Sequence, residues 1–440
     1  MRRRQCRWVV LLLLGIEARS FAGNDDEHLL GTDAALTGGA VTATVFDGSA
    51  IYYNPAGLAG ARANQRLDVS GTVYALRFYR ASGFLRSTQG PTADLQATEF
   101  VPVPSAVTYV RPLSHNVNVG FGIFAPRLSD LTNRAVMAVP GASGEDDWVF
   151  VVSANKASYR AGPALGWHVN DDLRVGVALL GMYDTEGGAA QFAGGQRQAD
   201  GASSQFYTAS QVFNTYRVGA LLSLGVQWKP ASKVWVGATV VSPGLSLYSI
   251  YRVTTIEASA GQYVPGDASS HTPDIRFSTP PRFRLGVAYQ LGNGWVSLDA
   301  DVQTGMTDSE LMLHREPVWN ARLGGRLRIG PLLSVGAGLF TDRSADSTPT
   351  QLGQSKINFY GGALGLEVGK EFQVKEDDTV KPLRFTTTLA LRYALGVGDV
   401  GGLVVRPMTA QEPVETSAQN AVMSAVIHEL GGYIGAALSF

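Results

Sequence analysis

The sequence predicts an all-β fold, a transmembrane antiparallel β-barrel, from three observations: one-sided strands, alternating connection lengths and low charge. Of 440 residues only 17% are charged, and 51 are glycine, with frequent Tyr, Trp and Phe. A water-soluble chain of this size carries about 25% charge. After the first 22 residues no run approaches the 18 or more consecutive apolar residues that read as a membrane-crossing helix. A closed barrel is the other structure that pairs every backbone group inside lipid, and each of its strands needs about 9–11 residues, apolar outward and polar inward.

Three segments carry that period of two most clearly. Val296, Leu298, Ala300 and Val302 share one face, opposite Ser297, Asp299, Asp301 and Gln303. Phe283, Leu285, Val287, Tyr289 and Leu291 oppose Arg282, Arg284 and Gln290, and Leu323, Leu327 and Ile329 oppose Asn320, Arg322, Arg326 and Arg328. Fourteen such segments are expected, near 67–80, 98–112, 116–126, 155–169, 172–185, 213–229, 233–258, 275–291, 294–306, 316–329, 332–342, 355–372, 382–397 and 423–440. The seventh is long enough to break at Pro243-Gly244. Short turns at 112–116, 170–172, 229–233, 291–294 and 330–331 alternate with long polar or Gly/Pro/Ser-rich connections, near 81–97, 127–154, 186–212, 259–274, 307–315, 343–354 and 398–422. The short-side connection 371–381 is longer than its fellows. Short periplasmic turns and long extracellular loops are the pattern of outer-membrane barrels.

The two ends give the destination. Arg2, Arg3, Arg4 and Arg7 precede an apolar run from Trp8 to Ile16, and Ser20-Phe21-Ala22 supplies small residues for cleavage after Ala22. Residues 1–22 thus read as a cleaved signal peptide, too short in its apolar run to span a bilayer. Leu430, Ile434, Ala436, Leu438 and Phe440 share one face of the last strand, ending on an aromatic carboxyl-terminal residue of the kind read by barrel-assembly machinery. An even strand count puts both ends in the periplasm. The organisation expected is signal peptide 1–22, a plug-like segment 23–66, and a barrel over 67–440 in the bacterial outer membrane, bounded by its lipid and lipopolysaccharide.

Other function classes find little support. Cys6 is the only cysteine and falls in the leader, so no disulfide framework or thiol chemistry is expected. Six scattered histidines form no metal-binding pattern, and neither a Gly-x-Ser-x-Gly elbow nor a phosphate-cradling loop is present. No enzyme, cofactor or metal is expected. A net charge of −1 and the lack of a basic patch exclude a nucleic-acid partner.

Residues 23–66 do not alternate. Gly31, Gly38, Gly39, Gly48, Gly57 and Gly60 mix with Leu29, Leu30, Leu36, Val41, Ile51 and Tyr53, too apolar for simple disorder. The segment is either a tail or a plug folded into the lumen. Gly38-Gly39-Ala40, Asp47-Gly48-Ser49-Ala50 and the Asn54-Pro55-Ala56-Gly57-Leu58-Ala59 element resemble the amino-terminal hatch of the FadL/TodX-type outer-membrane transporters of hydrophobic compounds, the long-chain fatty acid transport protein family. Gly120-Phe121-Gly122-Ile123-Phe124-Ala125-Pro126, Pro280 to Tyr289 with Trp295 and Leu298-Asp299, and Arg322-Leu323-Gly324 with Val335 to Gly338 and Asp342 resemble later parts of that family in the same order.

That resemblance implies a monomeric fourteen-stranded barrel plugged by the hatch. A hydrophobic small molecule, a long-chain fatty acid or hydrocarbon, is caught in outer loops, held in the lumen and released sideways beside an inward kink in the third strand. Entering lipid gains such a molecule about 0.8 kcal/mol per CH₂. Asn54, Pro55, Ala56 and Gly57 would anchor the hatch. Gly120, Phe121 and Gly122 are the kink candidate, unless the glycines only make room for a neighbour or the plug. Residues 128–139 read as a short amphipathic helix, with Leu128, Leu131 and Val136 on a capture surface or packed on the rim. Arg282, Arg284, Asp299, Asp301, Arg322 and Arg326 read as a lumenal salt-bridge network in preference to a carboxylate clamp. Two alternatives stay open: a FadL-like barrel serving as a binding or scaffold component of a secretion system, and a general diffusion porin.

Overall fold

The computed structural model describes residues 28–440 except 61–64, 101–102, 141–143, 199–202, 260–261, 266–268, 272–274, 309–312, 351, 353, 377–378 and 407–417. The expected signal peptide lies outside the described residues. Two short helices, α1 (Thr32–Thr37) and α2 (Ala50–Tyr53), and a 3-10 turn (Pro55–Gly60) precede the strands. The strands are β1 (Arg66–Ser87), β2 (Thr92–Phe100), β3 (Val103–Pro112), β4 (Val117–Pro140), β5 (Gly144–Asn170), β6 (Leu173–Gln198), β7 (Ser203–Ala231), β8 (Val234–Val241), β9 (Gly244–Ser259), β10 (Gln262–Pro265), β11 (Ser269–His271) and β12 (Arg276–Thr279). They continue with β13 (Arg282–Leu291), β14 (Gly294–Gln303), β15 (Met306–Asp308), β16 (Leu313–Arg315), β17 (Val318–Arg328), β18 (Leu333–Asp342), β19 (Ser355–Glu376), β20 (Thr379–Val405) and β21 (Ala418–Ser439).

All but β15 and β16, which pair with each other, join one sheet, antiparallel apart from a three-residue stretch of β1 beside β20, that closes when β1 pairs with β21, Arg66↔Ser439 through Ala81↔Ala425. Closure pairs the first strand with the last, as lipid demands of a spanning sheet. Several expected strands arrive in pieces. β2 and β3 both pair with β1, and β8 and β9 part at Ser242-Pro243. The alternation read from the sequence decides the faces: Leu285, Leu298, Leu323 and Leu364 stand on the outside, whereas Arg284, Asp299, Asp301 and Arg322 are buried inside.

The outward band is bounded by aromatic residues. Trp167, Trp228 and Tyr289 stand near the end bearing the chain termini, while Tyr159, Tyr183 and Tyr216 stand on the same strands or their neighbours further along; all are exposed. Tyr216 and Trp228 are twelve residues apart on β7, about 40 Å along the strand and about 30 Å in height once the strand is tilted. That is a bilayer's apolar thickness.

Turns at the terminus end are short for local reasons. Asn170 Oδ1 accepts from the amides of Asp172 (3.0 Å) and Leu173 (2.8 Å), an Asx turn joining β5 to β6. Gly292, with φ +56°, turns the chain between Leu291 and Gly294, where a side chain would be strained. The 371–381 connection is not long after all: β19 and β20 pair as far as Glu376↔Thr379.

At the other end the structure corrects the expected loops. Much of 127–154 and 186–212 is strand, with β4 to β7 paired past the tyrosines to Pro140↔Glu145 and Arg197↔Ser203. Residues 128–139 are strand too, not an amphipathic helix. Leu131, Asn133, Ala135, Met137 and Val139 are buried while Thr132, Arg134, Val136 and Ala138 are exposed, a period of two. Leu131 and Ala135 satisfy helical spacing by coincidence, and pairing with β5 decides the matter. Leu131 and Val136 therefore face opposite ways.

These tall strands surround an apolar cluster that includes Phe84, Trp148, Phe150, Phe192, Phe359 and Met423. The β1–β2 hairpin bends inward over it: at Gly83 (φ +61°) β1 leaves β21, and Leu85 to Ser87 pair in parallel with Leu403 to Val405 of β20. Phe84 then meets Phe150, ring centroids 5.0 Å apart.

Candidate functional site

Residues 28–60 lie inside the wall, and Leu30, Ala34, Leu36, Val45, Ala50, Ile51 and Leu58 are fully buried there. What admits this segment is glycine. A Cβ on Gly176 or Gly225 would overlap Pro55 or Asn54, and on Gly237 the Thr42 carbonyl. On Gly324 or Gly338 it would overlap the Thr37 carbonyl, and on Gly336 that of Leu36. The register sets Gly176 beside Gly225 and Gly324 beside Gly338, so the glycines form an inner track on which the backbone rests.

Asn54 sits at the centre of this packing. Its Nδ2 donates to the carbonyls of Thr42 (2.7 Å) and Val226 (3.0 Å), one in the inner segment and one in β7. Its Oδ1 accepts from Ala56 N at 3.2 Å, which opens the turn begun by Pro55, a residue preset for the first helical position. Gly57 follows because a side chain there would strike the Val45 carbonyl.

Charged side chains tie the segment to the wall. Asp299 Oδ2 accepts from Val41 N (2.8 Å) and Thr42 N (2.7 Å). Arg326 bridges Asp33 (2.8 Å) on α1 and Glu367 (2.6 Å) on β19, and lies over the Trp295 ring. Asp301 takes Arg282, Arg284 (3.3 Å) and Arg322 (3.3 Å) at once. Arg284 also donates to the carbonyls of Tyr52 (3.3 Å) and Tyr53 (3.4 Å) and lies over both rings. The six charged candidates thus fall into three clusters, each reaching the inner segment. A further cluster joins Glu429 of β21 with Arg77 (3.0 Å) of β1 and Arg392 of β20.

Asp47, on the inner segment and not on a spanning strand, accepts from the amides of Asp33 (2.9 Å) and Ser49 (2.9 Å). Burial, then the charges of Asp33 and Asp68, push its carboxyl up to about 7 from 3.8. Because the folded value is raised, its stabilising contribution is complete below pH 3.8 and is lost as pH rises through about 7. Limited proteolysis of residues 28–60 should therefore be slower at pH 5 than at pH 8, and Asp47→Asn should flatten the difference. An unchanged pH profile in that variant would remove Asp47 as its source.

Gly120 and Gly122 lie where β4 is paired on both sides, to β3 and β5. A Cβ on Gly120 would press on Ile51 of the inner segment, and one on Gly122 on the Phe124 ring, so both make room. Phe121 stands on the outer surface at 50% exposure. The interruption comes three residues later. Pairing with β3 ends at Ala106↔Phe124, pairing with β5 shifts register between Phe124 and Arg127, and β2 meets β4 only at Gln96↔Arg134. Pro126, which has no N–H, sits in the break, and its carbonyl accepts from His28 N at 3.2 Å. Arg77 reaches Ser129 Oγ across it at 3.2 Å.

Beside this break is a chamber of about 210 Å³ reached by Tyr52 of α2 and by Pro126. Its lining holds Arg127, Lys156, Arg160, Arg217, Arg282, Arg284 and Arg315 against Asp184, Glu186 and Asp346, with apolar Leu180, Leu221 and Val241 between them. Lys156–Glu186 (2.8 Å) and Arg160–Asp184 (2.8 Å) are paired, yet cations outnumber carboxylates. Arg282 and Arg284 are read from the sequence as inward charges; most of the others fall in or beside stretches that the sequence reads as outer loops, where no parity marks them.

No family model matches the sequence, and no curated protein does. Solved structures do match. A Pseudomonas aeruginosa FadL homologue aligns at TM-score 0.59 and 13% identity, over 94% of this chain and 99% of that one. The Pseudomonas putida toluene transporter TodX aligns at 0.56 and 13%, over 95% and 99%, and the CymD monoaromatic hydrocarbon channel at 0.56 and 13%, over 93% and 97%. At such identity the likeness speaks for architecture, and by architecture the chain is a closed β-barrel with the fold of the FadL-type outer-membrane transporters.

Proposed function

We propose that the protein is a passive outer-membrane transporter of hydrophobic small molecules, and that those it takes best carry an anionic head, as long-chain fatty acids do. Joining the strand segments that continue one another, β2 with β3, β8 with β9 and β10 through β13, and leaving out the separate β15–β16 pair, counts fourteen staves, with residues 28–60 as the hatch. The observation that carries the reading is the chamber: a net-cationic, partly apolar space beside the packed segment, next to a break in the wall. A hatch so packed leaves little route straight through, which favours lateral release over the porin alternative. The tall outer strands and their apolar cluster would take the place of a capture loop. Release would follow the β4 break at Ala125-Pro126, where the His28 amide already takes up the Pro126 carbonyl and Glu99 the Asp130 amide, as lipid requires of backbone groups.

The test is uptake of labelled palmitate and toluene by cells expressing the full chain, with Gln96→Cys/Arg134→Cys as a reversible staple across the break. Oxidation should slow palmitate uptake severalfold and reductant should restore it. Equal uptake by stapled and reduced protein would refute release at this break, and conductance matching an open porin would refute the transporter reading.

A further inference from the structure

We propose that the wall carries a second lateral passage, a proline seam between β8/β9 and β12/β13, through which an anionic amphiphile passes its apolar chain into lipid while its head stays in the chamber. The proposal rests on the transport reading above.

The seam follows from donor counting. Val241↔Arg282 below and Gly244↔Thr279 above set Pro243 opposite Pro280 and Ser242 opposite Pro281. Odd residues of β8 bond toward β13, as Gln290 N→Lys233 O (2.8 Å) shows, whereas Ser242 N turns the other way, to Leu222 O of β7 (2.8 Å). The ladder would thus place two N–H···O=C bonds between positions 243 and 280. Both are proline, and neither bond can form.

The neighbouring polar groups are satisfied without the missing rung. Ser242 Oγ accepts from Leu222 N (2.9 Å) and donates to Pro243 O (3.0 Å). Gly244 N donates to Thr279 Oγ1 (2.9 Å), and Thr304 N to Pro281 O (3.3 Å). Parting the strands at this rung therefore breaks no ladder bond and leaves the Ser242, Pro243 and Pro281 groups with their partners. Gly244 N to Thr279 Oγ1 and Ser278 Oγ to Gly244 O (3.3 Å) bound the opening above. Satisfied polar groups are the condition under which irregular backbone is tolerated at membrane depth.

Cavities meet the seam from both sides. The chamber reaches Ser242 and Pro280, with Arg282 and Arg284 beside them. On the outer face a separate pocket of about 450 Å³ reaches Pro243, Pro281, Phe277 and Met306, and Phe277 is 55% exposed. Pro281 lies eight residues from Tyr289, about 20 Å up the tilted wall, inside the apolar band. β5, β6 and β7 separate this seam from the β4 break, so the two would open to different stretches of lipid.

A diazirine-bearing palmitate, photolysed during uptake by cells expressing the full chain, reads the path by mass spectrometry. Label at Phe277 and Met306 should exceed that at Leu364, a lipid-facing residue on β19, about tenfold, with label in the chamber as well. Pro243→Val/Pro280→Val restores both donors and should bring the Phe277 and Met306 label down to the Leu364 level while chamber label persists. Ser242→Cys/Pro281→Cys, oxidised and then reduced in one Cys6→Ser preparation, separates closure from misfolding, because only closure is reversed by reductant. Chamber label without enrichment at Phe277 and Met306, or enrichment indifferent to both closures, overturns the passage and leaves transport standing. No chamber label overturns both.

Discussion

Asp301→Ala is expected to destabilise the barrel by about 3–5 kcal/mol, the usual cost of leaving a buried charge without its partner. Here one carboxylate, 3% exposed, serves three guanidiniums from the two flanking strands, Arg282 and Arg284 of β13 and Arg322 of β17. Without it the three cations repel one another in a site that water barely enters. Arg284 also holds the Tyr52 and Tyr53 carbonyls, so the damage should spread into the inner segment. Unfolding in detergent micelles, followed by loss of the compact electrophoretic form, measures the change. Adding Arg282→Met should recover part of the loss, since the pair is coupled. A loss under 1 kcal/mol would mean that solvent or the remaining carboxylates screen the cluster.

Gly338→Val should dislodge the inner segment. The new side chain would meet the Thr37 carbonyl and the Gly38 amide, both backbone, so no rotamer change relieves it. Gly38 itself holds φ +62°, which leaves the neighbouring chain little freedom to step aside. Overpacking costs about 1–3 kcal/mol even where side chains can yield. The pairs that fix this stretch, Arg326–Asp33 and Asp299 with Val41 and Thr42, should then fail together. Planar-bilayer conductance should rise severalfold over the parent. Gly330→Val, where a Cβ meets nothing within 4 Å, is the control and should leave conductance unchanged. Equal conductance for all three proteins would show that the segment is not what closes the lumen.

Strand parity was legible because lipid and lumen impose opposite chemistry on alternate residues, as Leu298 and Asp299 illustrate. Inside that frame the charge clusters could be anticipated by type but not by partner. Nothing local to Asp299 says that it binds the Val41 and Thr42 amides, 258 and 257 residues away. Extended strands were misread as loops where glycine, alanine and serine dilute the pattern, although Trp148, Phe150 and Val152 keep it. The β4 break was placed at the glycines of 120–122 and lies at Pro126, since a missing donor interrupts a ladder more surely than a missing side chain. The same rule makes Pro243 opposite Pro280 visible only once register is known.

The glycine track has a consequence for how such proteins diverge. Gly324, Gly336 and Gly338 fit the carbonyls of Leu36 and Thr37 and, of their side chains, no more than Cβ. Much of the grip is therefore on a path, and residues along that path can drift while its course stays pinned. Two barrels could trade most of their letters and still close over a stopper of one shape, which suits an alignment that keeps 94% of the chain at 13% identity.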